Sequence, residues 1–250
     1  MAAILKITDM SKAFDGVKAV DRLSLVIEEQ QITSLIGPNG AGKTTLFNLI
    51  CGFLPSDGGS IIFRDQTIDG AAPYRIARLG IGRTFQDFRL IRKISVLDNI
   101  MLGFQNQAGE GVLHALAGWK TKREEQRNVD KARGLLEFVR LENKSGDLTE
   151  ALSYGQQKLL TLACCLAMDA HLLLLDEPVA GIEPETSCRI LDLLQELRDQ
   201  GKTIFLIEHN LEAVRIVSDF VMVMDEGRKI AEGTPEAVMR DPTVLEAYLT

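Results

Sequence analysis

A nine-residue segment, GPNGAGKTT (Gly37–Thr45), has the residue types and spacing of a phosphate-binding loop. It follows the apolar run Ile32–Ile36 and precedes the helix-like segment Leu46–Cys51, so the sequence predicts a strand–loop–helix unit. Its glycines allow backbone angles that turn successive N–H groups toward an anion, and a helix N-terminus adds partial positive charge. In this motif the lysine reaches the β- and γ-phosphates and the following hydroxyl ligates Mg²⁺. The alternative is an ordinary glycine-rich turn.

A second candidate for chemistry is the segment LLLLDEP, Leu172–Pro178. Four leucines that end in acid predict a strand buried on both faces of a parallel sheet. Ligands of α/β sheets bind at the carboxyl ends of the strands, so Asp176 and Glu177 are candidate site residues. The alternative is a solvated acidic turn before a proline.

A third candidate is LSYGQQ, Leu152–Gln157, which opens a long apolar segment. Ser153 is a favourable helix N-cap, followed by backbone donors at the helix start. Such a helix start could bind a phosphate, yet the chain already has one phosphate-binding loop. The alternative is an ordinary capped helix.

These motifs, in this order, resemble those of ATP-binding-cassette (ABC) ATPases over essentially the whole chain. Phe14 is similar to the family's adenine-stacking aromatic, Gly37–Thr45 to its phosphate loop and Gln86 to its Q-loop glutamine. Leu152–Gln157 is similar to the signature LSGGQ, and Leu172–Glu177 to the strand that ends in the Walker B aspartate and the catalytic glutamate. Val179–Glu183 is similar to the D-loop and His209 to the switch histidine. Two positions depart from the family pattern. Tyr154 stands where the signature has its first glycine, and Glu183 stands where many relatives have aspartate.

The resemblance implies ATP as the substrate nucleotide and Mg²⁺ as the metal ion, and it assigns a role to each matching residue. The catalytic residues it implies are Glu177 as general base, His209, Lys43 and Gln86. Those implied to bind ATP are Phe14, Gly37, Pro38, Asn39, Gly40, Ala41, Gly42, Lys43, Thr44 and Thr45. Those implied to hold Mg²⁺ are Thr44, Gln86 and Asp176. Those implied to contact the ATP of a partner chain are Leu152, Ser153, Tyr154, Gly155 and Gln156, with the D-loop residues Ala180, Gly181 and Glu183 beside them. For Phe14 a place in the core of a small sheet, and for His209 a structural role, remain the alternatives.

The resemblance also implies the fold: an α/β P-loop NTPase cassette with a RecA-like parallel core sheet, an N-terminal antiparallel β-subdomain and an inserted helical subdomain. We expect a single ABC ATPase domain, in which residues 1–86 and 156–250 form the nucleotide-binding core with its β-subdomain. Residues 87–155 form the helical subdomain with the signature.

Apolar patterns place the elements independently of any family. They predict N-terminal strands at Ile4–Thr8, Leu23–Glu28 and Ser60–Arg64, and core strands at Ile32–Ile36, Leu172–Asp176, Thr203–Ile207 and Phe220–Met224. A hairpin is expected to follow through Asp225–Gly227 into Arg228–Ala231. Predicted helices are Val96–Phe104, Asn128–Val139, Leu211–Val217 and Pro235–Tyr248.

Composition narrows the class of protein. The net charge of −7 argues against a nucleic-acid partner, because proteins that bind nucleic acid usually present a basic face to its phosphates. The one basic cluster, Lys120–Arg133, also contains acids, and we interpret it as a solvated helix face or a docking surface.

No apolar run reaches the roughly 18 residues of a membrane span and no secretion signal is evident, so a cytoplasmic protein is expected. The four cysteines lack metal-ligand spacing and are predicted to be buried free thiols.

Two local sequence motifs indicate which ABC subfamily the chain resembles. Gly82–Gly103 and AGIEPE (Ala180–Glu185) look like the ATPase subunits of branched-chain amino acid importers. This resemblance implies a second ABC ATPase chain, either identical or a paralogue, and transmembrane permease subunits, with a solute-binding protein acting through the permease. It places this chain at the cytoplasmic face of the plasma membrane. The alternatives are a lipopolysaccharide-export or urea-import ATPase, a non-transport ABC protein, and a metabolic P-loop kinase.

Overall fold

A computed structural model of the protein describes residues 2–84, 90–105 and 118–248, with the backbone alone for residues 118–123. The chain divides into two compact units, residues 1–83 with 171–250, and residues 84–170. The second boundary differs from the expected one after residue 155. The helix that begins at Tyr154 is continuous to Ala167 and packs on other helices of the second unit, so it is not divided between the two.

The first unit contains a six-stranded sheet in the order β10-β9-β3-β8-β7-β6. Its strands are β3 (Ile32–Ile36), β6 (Ile81–Arg83), β7 (Leu172–Asp176), β8 (Thr203–Ile207), β9 (Phe220–Asp225) and β10 (Arg228–Gly233). All pairings are parallel except the hairpin of β9 with β10. The predicted parallel core sheet is therefore confirmed, and β3, β7 and β8 have the predicted bounds.

Burial on both faces explains the apolar composition of the central strands. Every residue of β3, β7 and β8 is buried, as expected for a parallel sheet covered by helices. The helices of this unit are α1 (Lys43–Ile50), α2 (Pro73–Leu79), α6 (Pro184–Asp199), α7 (Leu211–Val217), α8 (Pro235–Val238) and α9 (Pro242–Ala247). The rings of Phe47 in α1 and Phe205 in β8 lie 5.1 Å apart, which joins the first helix to the sheet.

An antiparallel sheet in the order β2-β1-β4-β5 completes the first unit. Its strands are β1 (Ala3–Phe14), β2 (Val17–Glu28), β4 (Gly58–Phe63) and β5 (Gln66–Thr67). The first two strands are longer than predicted because Asp15 and Gly16, at φ 47° and 88°, close them into a tight hairpin. This sheet is the predicted β-subdomain.

The second unit is helical in its described residues. It contains α3 (Val96–Met101), α4 (Gly118–Phe138), α5 (Tyr154–Ala167) and 3₁₀ turns at Glu142–Lys144 and Thr149–Ala151. Apolar residues of the three helices are buried against one another, among them Ile100, Leu136 and Leu160. Within the described part of the chain, no helix is both long and apolar enough to cross a bilayer.

Three expectations need correction. The predicted helix Pro235–Tyr248 is two helices, because the Asp241 side chain accepts a hydrogen bond from the Thr243 N–H and starts a new helix at Pro242. Strand β6 and helices α2 and α6 were not predicted. Three and seven residues give β6 and α2 too short a periodic signal, whereas α6, at 16 residues, was missed although its apolar residues recur at helical spacing. All four cysteines are free thiols, but Cys188 is exposed and Cys164 is only half-buried.

Candidate functional site

Three neighbouring parallel strands end at the same edge of the large sheet. β3 pairs with β8, and β8 pairs with β7. The residues that follow these strands are Gly37 after β3, Glu177 after β7 and, two residues beyond β8, His209. The carboxyl edge of a parallel sheet is the usual ligand position in such folds, so the fold gathers three of the predicted segments where a site is expected.

The loop Gly37–Thr45 is shaped by glycines at positive φ. Gly37, Gly40 and Gly42 have φ of 145°, 86° and 98°. A Cβ on Gly37 would lie 1.9 Å from the Met224 carbonyl oxygen, and one on Gly42 would lie 2.0 Å from that of Ala19. A Cβ on Gly40 would meet nothing within 4 Å. Glycine is thus required at two of these positions by close backbone packing as well as by φ, which explains the loop's composition.

We therefore expect Gly42→Ala to lower the free energy of unfolding by about 3 kcal/mol or more, because backbone cannot move aside for the new methyl. Gly40→Ala is the matched control, and should cost only about 1–2 kcal/mol, the strain of a left-handed alanine. Urea unfolding of both variants followed by circular dichroism makes the comparison. Equal losses in the two variants would contradict the packing argument.

Lys43 opens helix α1 and is buried, with 6% of its surface exposed. Its ammonium donates to the carbonyl oxygens of Gly37 at 2.7 Å and Pro38 at 2.8 Å, so it is held across the loop. Burial lowers the pKa of Lys43, while the Glu177 and Asp176 carboxylates act in the opposite direction. The loop therefore holds a cation next to two acids at the sheet edge.

Asp176 is buried at the end of β7 and faces a buried arginine. Arg83 Nη2 lies 3.5 Å from Asp176 Oδ2, and Arg83 Nη1 donates to Asn48 Oδ1 at 2.7 Å. Burial raises the pKa of Asp176, whereas Arg83 lowers it. Arg83 was not predicted as a site residue. Its place at the end of the short edge strand β6, which pairs with β7, brings it to the aspartate.

Glu177 and His209 are in direct contact. His209 Nε2 lies 3.1 Å from Glu177 Oε1, and both side chains are partly exposed, at 37% for His209 and 24% for Glu177. Glu177 has φ of 50°, an uncommon backbone conformation for a non-glycine residue that is often found at functional sites. The two predicted catalytic residues thus share one accessible surface at the sheet edge.

A further acid, Glu208, fixes the backbone around this pair and was missed by sequence reasoning. It is 1% exposed. Its Oε1 accepts from the Val179 N–H at 3.1 Å and its Oε2 accepts from the His209 N–H at 3.2 Å. One buried carboxylate therefore joins the segment after Glu177 to the residue that contacts it. The only sequence signal was a charged residue between an apolar strand and a histidine.

Other predicted site residues in the first unit lie at exposed or half-buried positions. Phe14 ends β1 with 43% of its surface exposed, so the alternative of a core phenylalanine is wrong, and the Lys12 ammonium lies 5.5 Å from its ring centroid. Gly181 is exposed, Ala180 is half-buried, and Glu183 is the N-cap of α6. Gln86 lies outside the described residues.

The signature-like segment starts helix α5 in the second unit. Ser153 is the N-cap, as predicted: its hydroxyl accepts from the Gln156 N–H at 3.3 Å, and the Gln156 side chain accepts from the Ser153 N–H at 3.0 Å. This reciprocal capping box fixes the helix start. Tyr154 is exposed, and the Lys158 ammonium lies 5.6 Å from its ring centroid. Gly155 is half-buried.

The described residues contain no group of three or more His, Cys, Asp or Glu side chains that could hold a metal ion. The first unit offers instead the hydroxyl of the exposed Thr44 and the carboxylate of Asp176. One carboxylate with a hydroxyl fits Mg²⁺, which is usually held by few protein oxygens together with substrate phosphates. These residues therefore fit a nucleotide-bound magnesium ion.

Comparison with known proteins identifies relatives over the whole chain. A family model described as "ABC transporter" matches residues 20–180, and one described as "Branched-chain amino acid ATP-binding cassette transporter" matches residues 228–249. The chain is 39% identical to a probable branched-chain amino acid transport ATP-binding protein, LivG, of Archaeoglobus fulgidus, in an alignment that covers 98% of this chain and 95% of the relative. It is 38% identical to the high-affinity LivG protein of Escherichia coli K12, covering 98% and 97%.

Solved structures agree with these relatives. A nucleotide-free ATP-binding cassette from an ABC transporter superimposes with a TM-score of 0.87 at 34% identity, over 100% of both chains. The ADP conformation of an ATP-binding cassette of an ABC transporter gives a TM-score of 0.87 at 35% identity, covering 100% of this chain and 99% of the other. The likeness therefore covers the complete fold.

Proposed function

Because the chain belongs to the ABC transporter family, among its branched-chain amino acid transport ATP-binding proteins, we propose that it is the ATP-hydrolysing subunit of a branched-chain amino acid importer. The observation that carries the hydrolytic part is the contact of Glu177 with His209 beside the Gly37–Thr45 loop. An anion-binding loop, a buried cation and an accessible acid at one sheet edge are the parts that nucleoside triphosphate hydrolysis requires.

We assign ATP binding to the loop and to Phe14. The N–H groups of the loop and of the start of α1 surround the phosphates, and the Lys43 ammonium exchanges its two carbonyl partners for phosphate oxygens. The exposed ring of Phe14 stacks on the adenine, which requires only an aromatic face. Thr44, Asp176 and Gln86 would hold a magnesium ion, which would supply charge neutralisation on the phosphate oxygens.

Hydrolysis rests on Glu177. Its carboxylate orients the attacking water and accepts its proton, and His209 holds that carboxylate and contacts the terminal phosphate. Glu208 keeps the surrounding backbone in place by accepting from the N–H groups of Val179 and His209. Arg83 holds the carboxylate of Asp176. The chain therefore acts mainly by positioning groups and by stabilising charge, which is the usual basis of enzymatic phosphoryl transfer.

The signature helix serves a second protein molecule. In the ABC family the signature of one chain contacts the ATP held by the loop of another, so we propose a head-to-tail pair of cassettes with two nucleotides between them. Each site takes its loop and acids from the first unit of one chain, and Leu152 to Gln156 with Ala180, Gly181 and Glu183 from the other. The partner is a second copy or a paralogous ATPase chain.

Closure and reopening of this pair would drive transmembrane permease subunits at the cytoplasmic face of the membrane, with a solute-binding protein delivering the amino acid. The second compact unit, residues 84–170, is proposed as the helical part that meets the permease, and the first unit as the nucleotide-binding core. The similarity to LivG proteins supports this solute. In proteoliposomes with its permease, leucine and its binding protein should stimulate ATP hydrolysis, and stimulation by urea alone would indicate an amide importer instead.

A phosphate-release assay separates an ATPase from a kinase. With Mg²⁺ and ATP but no phosphoryl acceptor, we expect the purified chain to release one phosphate for each ADP formed. A metabolic kinase would remain idle until its acceptor is added. Absence of phosphate release at all protein concentrations, with ATP bound, would contradict the proposed hydrolysis.

Ser153→Arg tests the role of the signature. A long cation at this exposed N-cap should block the approach of a second chain, so turnover should fall at least about tenfold. ATP binding by the single chain should remain within about twofold of wild type, because the loop lies in the other unit. Fluorescent-nucleotide titration and phosphate release measure the two effects. Unchanged turnover would contradict the assignment, and lost binding would indicate misfolding.

A further inference from the structure

Two stretches of the second unit, residues 91–97 and 145–150, are joined immediately before the signature helix. Ser95 and Leu148 form an isolated antiparallel bridge. Around it, backbone N–H groups donate to carbonyl oxygens on the opposite stretch. Val96 donates to Asp147 at 3.0 Å, Thr149 to Ile94 at 3.1 Å and Glu150 to Arg92 at 3.1 Å. The chain that leads into the signature is therefore held by the stretch that begins shortly after Gln86.

A buried asparagine lies at the centre of this junction. Asn99 in α3 is 5% exposed, and its Oδ1 accepts from the Ile91 N–H at 2.9 Å. Its Nδ2 donates to the carbonyl oxygens of Ile91 at 3.0 Å and Ser95 at 3.1 Å, and to Thr149 Oγ1 at 2.8 Å. Every hydrogen-bonding group of this amide is used, and two hydrogens serve three acceptors.

The Thr149 hydroxyl completes the connection. Thr149 is 1% exposed, and its Oγ1 accepts from Asn99 while donating to the Ile94 carbonyl oxygen at 3.2 Å. This is the side-chain hydrogen bond by which Asn99 reaches across to the stretch before the signature. Because both partners are buried, removal of the hydroxyl leaves a buried amide hydrogen and a buried carbonyl oxygen with poorer pairing.

Thr149 shortly precedes the signature in the chain, and its carbonyl oxygen is hydrogen-bonded to the first residue of the signature. It begins the 3₁₀ turn Thr149–Ala151, and the Leu152 N–H donates to its carbonyl oxygen at 3.2 Å. Leu152 is buried, and its own carbonyl oxygen accepts from Gln157 Nε2 at 2.9 Å. Ser153 follows as the N-cap of α5. A shift of Thr149 would therefore move the start of the signature helix.

We propose that Asn99 and Thr149 are positioning residues that hold Ser153 in the geometry needed to contact the ATP of the partner chain. The inference rests on the proposed function and adds two residues to it that contact neither nucleotide. Loss of the Asn99–Thr149 hydrogen bond should weaken nucleotide-dependent pairing of two chains and leave nucleotide binding by one chain unchanged.

Thr149→Val in a Glu177→Gln background is the direct test, since valine keeps the shape and removes the hydroxyl. With Mg²⁺ and ATP, light scattering should show that pairing requires about tenfold more ATP than in the Glu177→Gln parent. ATP affinity of the single chain, measured below the pairing concentration, should stay within about twofold. Amide hydrogen exchange should accelerate in peptides covering residues 148–157 and remain unchanged in those covering 37–50.

Two further variants make the comparison specific. Thr149→Ser keeps the hydroxyl and should pair as the parent does. Thr161→Val removes a hydroxyl that donates within α5 to the Gln157 carbonyl oxygen at 2.8 Å, and it should also pair normally. If Thr149→Val does not fold, Thr149→Ala serves in its place.

Parent-like pairing by Thr149→Val would overturn the inference, as would an equal loss in Thr149→Val and Thr161→Val. If the Glu177→Gln parent itself remains monomeric with ATP, the proposed pairing of two copies of this chain fails and this inference fails with it. The two failures are therefore distinguished by the parent measurement.

Discussion

Replacement of Glu177 by glutamine should stop turnover and leave a stable ATP-bound pair of chains. The glutamine side chain keeps the size of the glutamate and can still contact His209, but it cannot accept a proton from water. Loss of a general base typically lowers a rate by about 10²- to 10⁴-fold. Phosphate release measures the rate, and light scattering should show a doubling from the 27.6 kDa of one chain when Mg²⁺ and ATP are added.

Glu185→Gln is the matched control for this change. Glu185 is exposed in the first turn of α6, eight positions along the chain, and has no role in the proposed chemistry. It should hydrolyse ATP at the wild-type rate and should not accumulate the pair. A Glu177→Gln chain that stays monomeric while hydrolysing normally would contradict the assignment of the base.

Removal of the Lys43 ammonium should have the second large effect. The ammonium is the buried cation of the loop, and loss of one preorganised charge contact to the reacting phosphates typically costs about 10²- to 10³-fold in rate. Lys43→Ala should therefore abolish measurable turnover and weaken ATP binding, measured by phosphate release and nucleotide titration.

Lys43→Met separates charge from packing. Methionine fills much of the buried space of the lysine stem, so its unfolding midpoint should be nearer to wild type than that of the alanine variant. Its turnover should nevertheless be as low. Full activity in either variant would refute the role of this lysine, and recovery in the methionine variant alone would show that packing of the loop, not charge, was the cause of the loss.

Sequence reasoning reached those parts of the fold whose signal is local. The strands β3, β7 and β8 are unbroken apolar runs that end at chemically informative residues, so both their bounds and their common role were predictable. Ser153 was predictable as a cap because its partner Gln156 is three residues away. The Gly37–Thr45 loop was predictable because the spacing of its glycines alone indicates the loop conformation.

Residues that act through tertiary contacts were not predictable in the same way. Arg83 meets Asp176 only because β6 pairs with β7 across 93 positions of the chain, and Glu208 meets Val179 across a different pair of strands. Asn99 is an ordinary polar residue in a short helix until Thr149, 50 positions away, is folded onto it. A polar residue gives no periodic signal, and its partner is fixed by the sheet order or helix packing.

The central claim is that each ATP is cleaved between two chains, and mixing two inactive variants tests it most directly. Lys43→Ala lacks a working loop and Ser153→Arg lacks a working signature, so each should be nearly inactive alone. In a mixed pair, the loop of the Ser153→Arg chain meets the intact signature of the Lys43→Ala chain and forms one complete site. At equal concentrations we expect about a quarter of the wild-type rate, because half of the pairs are mixed and each has one intact site. A mixture that hydrolyses no faster than the sum of its separate components would contradict the account.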